Sequence, residues 1–169
     1  MLRKIARLRV PLGFVFGFVA LWLAQPTRET LLWGAIIAVI GEAMRIWAAG
    51  HLEKGREVTA SGPYRFLRHP LYVGSGIITL GFVVASRSIL VMLLATVYLG
   101  LTYTAAIRRE EAFLTERFGA AYPDYRAGRL PGAQRRFSLE RAIRNREYRA
   151  VAGVLVALSV LAAKVILPG

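Results

Sequence analysis

The sequence predicts an all-α, polytopic transmembrane bundle of about five spans, for three reasons. The 169 residues are 56% hydrophobic, and much of that content lies in long apolar runs. These runs approach the ~20 residues that a helix needs to cross the hydrocarbon core of a bilayer. The connections between them are rich in arginine. Because lipid offers no hydrogen-bond partners to an open sheet edge, helices are the expected elements.

The first predicted span covers residues 11–24 and follows a basic amino-terminal arm. This order is similar to a signal peptide, but Trp22 stands where a cleavage site needs a small residue. We therefore expect an uncleaved span. The further spans are predicted at 30–50, 70–85, 89–107 and 150–167. The chain is expected to form one domain, 1–169, with a cytoplasmic cofactor-binding segment between the fourth and fifth spans.

The orientation of the spans is predicted by the distribution of Lys and Arg. Four lie in the amino-terminal arm, four in segment 51–69 and eleven in segment 108–149. The opposite side carries Arg28, Arg87 and Lys164. Basic residues accumulate on the cytoplasmic side of membrane proteins. An integral, multi-pass protein with a cytoplasmic amino terminus and an external carboxyl terminus is expected.

The net charge of +13 raises the question of nucleic-acid binding, which the position of the charge argues against. The basic residues flank apolar spans, where they set orientation and attract anionic lipid headgroups. The chain has no cysteine and two histidines, His51 and His69. This composition excludes disulfides and thiolate chemistry, and no protein-built metal site is expected.

Two charged clusters bracket an apolar hairpin and form the candidate site. Residues 68–74 read Arg-His-Pro-Leu-Tyr-Val-Gly, and residues 108–111 read Arg-Arg-Glu-Glu. The spans between them are joined by a short turn at 86–88, so the chain returns to the side it came from. We expect both clusters at one membrane interface, where donors and carboxylates together suit a zwitterionic ligand.

The first cluster contains a helix start. Pro70 is well tolerated in a first turn, and free amides there bind carboxylate or phosphate. Arg68 and His69 would add donors, and Gly74 would let a ligand or another helix approach closely. The alternative is an ordinary interfacial helix cap, with Tyr72 in the aromatic belt.

The second cluster places Glu110 and Glu111 near the expected end of the fourth span. Neighbouring residues on a helix point about 100° apart, so the two carboxylates cannot face one pocket equally. We expect one of them to face the site and the other to pair with Arg108 or Arg109. Simple neutralisation of both by these arginines is the alternative.

Downstream, residues 113–126 are typical of an amphipathic helix that ends in a turn, and Gly119 fits the position where the helix stops. Tyr122 and Tyr125 would share one helical face, either flanking an adenine or packing on headgroups. Inside the second span, Glu42 and Arg45 lie three apart and are expected on one face. An ionisable residue within a span suggests function, but a structural Glu42–Arg45 pair is the slightly favoured interpretation.

In this order, these stretches resemble the isoprenylcysteine carboxyl methyltransferase family and the related phospholipid N-methyltransferases. The resemblance covers about residues 60–131 and implies a membrane enzyme that uses S-adenosylmethionine and releases S-adenosylhomocysteine. It implies cofactor contacts, listed in chain order, from Arg68, His69, Pro70, Leu71, Tyr72, Gly74, Glu110, Glu111, Tyr122 and Tyr125. The resemblance also implies that Arg126 belongs to the last part of the site.

The reaction expected from the resemblance is methyl transfer to a lipid-like acceptor from the bilayer. For an isoprenylcysteine-type carboxylate no base is needed, and Arg126 or Arg45 would orient the acceptor. A phospholipid amine must lose a proton, so His69 or a glutamate such as Glu111 would act as base. His69, Glu111 and Arg126 are therefore the candidate catalytic residues, and the choice between acceptors stays open.

Two other functions are kept as alternatives. A membrane reductase with a nicotinamide cofactor would need cations for a pyrophosphate, which the paired glutamates argue against. A non-enzymatic protein that binds anionic lipid is the second alternative. The resembling family commonly ends soon after the Tyr-x-x-Tyr segment, whereas this chain continues into span 150–167. We expect that span to form a homodimer contact or a wall of the acceptor tunnel.

Overall fold

The computed structural model describes residues 2–129 and 135–167, with side chains from residue 13 onward. The described residues form helices joined by short connections. The elements are α1 (Leu2–Leu23), α2 (Arg28–Ala49), a 3₁₀ turn (Gly62–Arg65), α3 (Pro70–Ser86), α4 (Ile89–Phe118), α5 (Ala121–Arg126), α6 (Leu139–Arg144) and α7 (Tyr148–Ile166). The last residues of the predicted motif region, 130 and 131, and the basic side chains of the amino-terminal arm lie outside this description.

Contacts at one end of the bundle bring the short turns together. The amide of Gln25, between α1 and α2, donates to the carbonyl of Ser86 at the end of α3, at 2.8 Å. Near the end of α7, Lys164 donates to the carbonyl of Ala24, at 2.6 Å. We call this the turn end, and it holds the last residues of α1, α3 and α7.

The opposite end, which we call the motif end, gathers the other helix termini. The side chain of Asn145, just before α7, donates to the carbonyls of Ala49 and Leu52 at 2.9 Å each. The end of α2 and the start of α7 therefore meet. The five long helices alternate in direction, as the predicted spans require.

Helices α2 and α3 make the closest contact in the bundle because glycines face each other at two levels. A Cβ at Gly34 would lie 2.5 Å from the carbonyl oxygen of Gly81, and one at Gly81 would lie 2.6 Å from that of Gly34. Gly41 and Gly74 repeat this arrangement, at 2.7 and 2.9 Å. Small residues allow such backbone contact between membrane helices.

Three described helices are long and apolar enough to cross a membrane: Arg28–Ala49, Ile89–Phe118 and Tyr148–Ile166. Gly13–Leu23 and Pro70–Ser86 are apolar but shorter. At 1.5 Å per residue, the 17 residues of α3 extend about 25 Å, somewhat less than the ~30 Å hydrocarbon core. The chain is a membrane protein. The count of five spans and the orientation of the termini stay predictions.

Helix α4 differs most from its prediction. It continues for 30 residues to Phe118, whereas the fourth span was expected to end at 107 and a separate helix to follow. The chain offers no proline or glycine between 101 and 118, and the helix ends only at Gly119, which has φ +51°. Glu110 and Glu111 therefore lie inside a helix rather than at its carboxyl end.

The segment before α7 is fastened to the motif end by Glu53. Its carboxylate lies 3.0 Å from Arg135, 2.8 Å from Arg141 and 3.4 Å from Arg144. Burial alone would raise the pKa of Glu53, but the hydrogen bond from Arg141 and the charges of Arg144 and Arg135 outweigh it and lower the pKa. Part of this basic segment thus packs on the protein.

Candidate functional site

The two predicted clusters meet at the motif end. His69 precedes the first residue of α3, and Glu111 projects from the extension of α4. His69 Nε2 lies 3.4 Å from Glu111 Oε1, and the side chains are 14% and 25% exposed. The contact joins residues 42 positions apart and confirms the expected meeting of the clusters.

Helix α5 folds back over this pair and adds a cation. Arg126 Nη1 lies 3.9 Å from Glu111 Oε2, and Arg68 Nη2 donates to the carbonyl of Arg126 at 3.3 Å. Glu111 therefore faces His69 and Arg126 together. The three candidate catalytic residues form one cluster, with Arg68 beside it.

Tyr122 places its hydroxyl next to the cluster. The residue is 2% exposed, and among the described residues no hydrogen bond of this hydroxyl lies within 3.5 Å. Burial, then the negative charge of Glu111 and the interaction of the hydroxyl with that carboxylate, raise the pKa of Tyr122. The hydroxyl thus stays protonated and lies beside the Glu111 carboxylate.

Tyr125 has a structural contact that the sequence did not indicate. Its hydroxyl donates to the carbonyls of Tyr64, at 2.7 Å, and Leu67, at 3.3 Å. Its ring lies 6.2 Å from that of Tyr122. Tyr125 thereby fastens α5 to the 3₁₀ turn, and its contact with a cofactor stays a prediction.

Glu110 has none of the ion pairs that Glu111 forms, although its charge contributes to the raised pKa of Tyr122. Neither Arg108 nor Arg109 forms an ion pair with Glu110, and both arginines are exposed, so the expected Glu–Arg pair is wrong. Burial, and then the charge of Glu110, raise the pKa of Tyr64 on the 3₁₀ turn. The two adjacent carboxylates therefore have different neighbours, because side chains of consecutive helical residues point about 100° apart.

Two tyrosines extend the site toward the bilayer. The ring of Tyr72 lies 5.8 Å from His69 and 5.2 Å from Tyr103 on α4. Tyr103 also borders a largely apolar, open depression on the surface of α4 that reaches Ile107. Sequence analysis missed Tyr103, although its spacing of four and eight residues from Ile107 and Glu111 places all three on one helical face.

The start of α3 has fewer free donors than expected. The amides of Tyr72 and Val73 both donate to the carbonyl of His69, at 3.1 and 3.2 Å. Pro70 is buried and has no amide hydrogen. The amide of Tyr72 is therefore occupied within the first turn, and anion binding at this helix start stays a prediction.

Leu71 and Gly74 contact α2 through Arg45. The carbonyl of Leu71 accepts a hydrogen bond from Arg45, at 3.5 Å. A Cβ at Gly74 would lie 2.6 Å from Cγ of Arg45. Their packing role is clear from these contacts, and the cofactor contacts of Pro70, Leu71 and Gly74 stay predictions.

The favoured Glu42–Arg45 pair is not formed. Arg45 Nε lies 2.6 Å from Glu147 Oε1 instead. Glu42 is 7% exposed, and neither of its carboxylate oxygens has a hydrogen-bond partner among the described residues. The sequence could not reveal this exchange of partners, because Glu147 is 102 residues from Arg45.

Residues 29–121, more than half of the chain, match the family described as phospholipid methyltransferase. The matched region runs from the start of α2 to the start of α5 and includes His69 and Glu111. No solved structure matches the chain.

Two curated relatives are similar to the chain. The nickel-cobalt-cadmium resistance protein NccN of Alcaligenes xylosoxydans xylosoxydans is 31% identical over 123 residues, which is 72% of this chain and 55% of the relative. The cobalt-zinc-cadmium resistance protein CzcN of Cupriavidus metallidurans is 34% identical over 122 residues, 71% and 54% respectively. The chain spans about half the length of these relatives. By the match over residues 29–121, it belongs to the phospholipid methyltransferase family of membrane methyltransferases.

Proposed function

We propose that the chain transfers a methyl group from S-adenosylmethionine to a lipid-like acceptor that enters from the bilayer. The observation that carries this proposal is the cluster of His69, Glu111 and Arg126, which lies inside or next to the matched family region. We place this cluster on the cytoplasmic side, because most Lys and Arg residues lie in the segments at the motif end.

The residues present fit such a cofactor chemically. Its amino-acid part carries an ammonium and a carboxylate, for which Glu111 and Arg68, which lies beside the cluster, are suitable partners. The protonated hydroxyl of Tyr122 lies beside Glu111 and adds a donor at the same place. S-adenosylmethionine would supply a methyl group already activated by its sulfonium, so the protein's main task is alignment. Orientation of this kind accounts for roughly 7–11 kcal/mol of a reaction barrier.

The acceptor determines what the side chains must do. An amine acceptor has to lose a proton, and the imidazole of His69, which Glu111 contacts through Nε2, is the candidate base. A carboxylate acceptor needs no base, and Arg126, whose side chain is 53% exposed, would orient it. The open depression beside Tyr103 provides an apolar surface where the acceptor's hydrocarbon part would lie.

The names of NccN and CzcN suggest a setting for the reaction. If this chain acts in metal resistance, we infer that it does so by methylating a membrane component rather than by holding a metal ion. The chain has no cysteine, and the part that the structure describes holds no group of three His, Asp or Glu residues suited to a metal. Cells carrying the chain or its Glu111→Gln variant, grown with cobalt, would test this: only the unaltered chain should raise tolerance.

The direct test is binding of S-adenosylhomocysteine to the detergent-solubilised chain. We expect a rise in Tm at saturating ligand and a dissociation constant at least ~10-fold weaker in Glu111→Gln, since a charged contact contributes ~1.5–3 kcal/mol. Glu116→Gln, an exposed change on the same helix, is the matched control and should bind like the unaltered chain. Absence of any Tm shift in the unaltered chain would contradict the proposal.

The acceptor can be identified with radiolabelled S-adenosylmethionine and a total lipid extract. We expect label in a lipid product with the unaltered chain and with Glu116→Gln, and little label with His69→Ala. A labelled amine product would support His69 as base if His69→Ala lowers the rate of methylation far more than it weakens the binding of S-adenosylhomocysteine. Label that stays in the aqueous phase would contradict a lipid-like acceptor.

A further inference from the structure

Arg45 joins three helices at a buried point below the candidate site. From α2, its Nε reaches Glu147 at the start of α7, at 2.6 Å. Its Nη1 donates to the hydroxyl of Ser75 and to the carbonyl of Leu71, both on α3. The Arg45 and Glu147 side chains are only 20% and 7% exposed.

The route of Arg45 across α3 depends on Gly74. A Cβ at that position would lie 2.6 Å from Cγ of Arg45 and 3.3 Å from its backbone nitrogen. The side chain therefore lies directly against the backbone of the first turns of α3. Its contacts with Leu71 and Ser75 hold the turn that follows His69.

Glu147 is itself held in a fixed place. The amides of Arg146 and Glu147 donate to the carbonyls of Ile143, at 2.8 Å, and Ala142, at 3.1 Å. These two bonds form the reverse turn that commonly closes a helix. Arg146 adopts φ +63°, a left-handed conformation in which glycine is usual. The turn delivers Glu147 to α7 with little freedom, and the Asn145 side chain fastens it to the end of α2.

We propose that Glu147, acting through Arg45, is a positioning residue for the first turn of α3 and hence for His69. Helix α7 lies beyond the matched family region 29–121, so this contact makes the carboxyl-terminal helix part of the site's support. Removing one member of a buried ion pair leaves the other charge uncompensated. Without Glu147, the Arg45 side chain would reorient so that its unpaired charge reaches solvent, and its contacts with Leu71 and Ser75 would be lost.

Hydrogen exchange of the full chain in detergent, without ligand, tests the positioning directly. In Glu147→Gln we expect the amides of residues 71–75 to exchange at least ~10-fold faster than in the unaltered chain. Lys164→Met is the matched control. Like Glu147→Gln, it removes a polar contact of α7. The lost hydrogen bonds are those to the carbonyls of Leu21, Trp22 and Ala24, which lie at the turn end, away from residues 71–75. It should lower Tm and leave exchange at 71–75 unchanged.

A second variant separates positioning from loss of folding. Ser75→Ala keeps the Arg45–Glu147 pair and the contact of Arg45 with the carbonyl of Leu71, and it removes the hydroxyl that accepts from Arg45 and donates to that carbonyl. It should also speed exchange at 71–75, and Glu147→Asp should restore part of the protection lost in Glu147→Gln. Unchanged exchange at 71–75 in both Glu147→Gln and Ser75→Ala, or equal acceleration in Lys164→Met, would overturn the inference.

The link to ligand affinity depends on the proposed function and is measured separately. S-adenosylhomocysteine should bind at least ~5-fold more weakly to Glu147→Gln and with unchanged affinity to Lys164→Met. If the unaltered chain does not bind S-adenosylhomocysteine, the proposed function fails. The positioning of α3 by Glu147 then still stands or falls on the exchange measurement.

Discussion

Glutamate side chains in this bundle differ in whether they have a charged partner. Glu111 contacts His69 and Arg126, whereas its neighbour Glu110 forms no such pair and raises the pKa of Tyr64 through its charge. Glu147 is paired with Arg45, whereas Glu42 has no hydrogen-bond partner among the described residues. The role of each carboxylate follows from its partner.

Replacing Glu42 should therefore not weaken the protein. A buried polar group without hydrogen bonds costs ~1–3 kcal/mol, so we expect Glu42→Met to raise Tm by a few degrees in detergent. Glu147→Met should lower Tm, because it leaves Arg45 without its partner. A large fall in Tm for Glu42→Met would mean that this carboxylate has a partner essential for folding.

Among the helices, contact between α2 and α3 depends on backbone proximity. The glycines at 34, 41, 74 and 81 occupy the contact, and each would clash with the facing helix if it carried a Cβ. The start of α3 carries His69, so this contact also sets the depth of the site in the bundle.

Gly81→Ala should destabilise the protein, because the added Cβ would lie 2.6 Å from the carbonyl oxygen of Gly34. Overpacking of this kind costs about 1–3 kcal/mol. Gly76→Ala is the control on the same helix, since a Cβ there meets nothing within 4 Å. It should leave Tm unchanged or raise it, because alanine favours helix over glycine by ~1 kcal/mol. Thermal melts in detergent measure both, and equal effects would argue against backbone contact.

Across the whole molecule, the connection from α5 to α7 is held by charge. Glu53 forms ion pairs with three arginines of this connection, Arg135, Arg141 and Arg144. Its lowered pKa means that the ionised form is favoured in the folded state. A carboxyl group whose pKa is lowered by folding stabilises the folded state at every pH above its ordinary pKa of 4.5. That contribution is lost as the pH falls through the lowered pKa.

We therefore expect Glu53→Gln to lower Tm at pH 7, with a difference from the unaltered chain that shrinks below about pH 4. Glu140→Gln, whose side chain is 88% exposed, should show no such dependence. Melting curves between pH 7 and pH 3 measure the effect. A Tm difference that stays constant with pH would show that the charge of Glu53 is not its cause.

The alternation of the five long helices leads to a prediction about topology. The start of α1 lies at the motif end and the end of α7 lies at the turn end. Reporters fused before α1 and after α7 should therefore register on opposite sides of the membrane. The basic segments predict a cytoplasmic amino terminus. A cytoplasmic signal from a carboxyl-terminal reporter would contradict five spans.

The sequence by itself determined the helical class, the approximate bounds of the apolar helices, the start of α3 at Pro70 and the close approach of another helix at Gly74. These features depend on local signals: hydrophobic runs, proline, glycine and the loss of charge within spans. It also indicated that His69 and a glutamate of the pair at 110–111 would meet, because a short turn constrains the two spans that it joins.

Only the tertiary structure decided which glutamate meets His69 and which carboxylate takes Arg45. Helix α4 could have ended after its apolar part, and the angle at which it presents Glu111 is fixed by its packing on α3 and α5. The Arg45–Glu147 pair joins residues from opposite ends of the chain. Local propensity carries no information about such a contact, because the partner is chosen by the geometry of the assembled bundle.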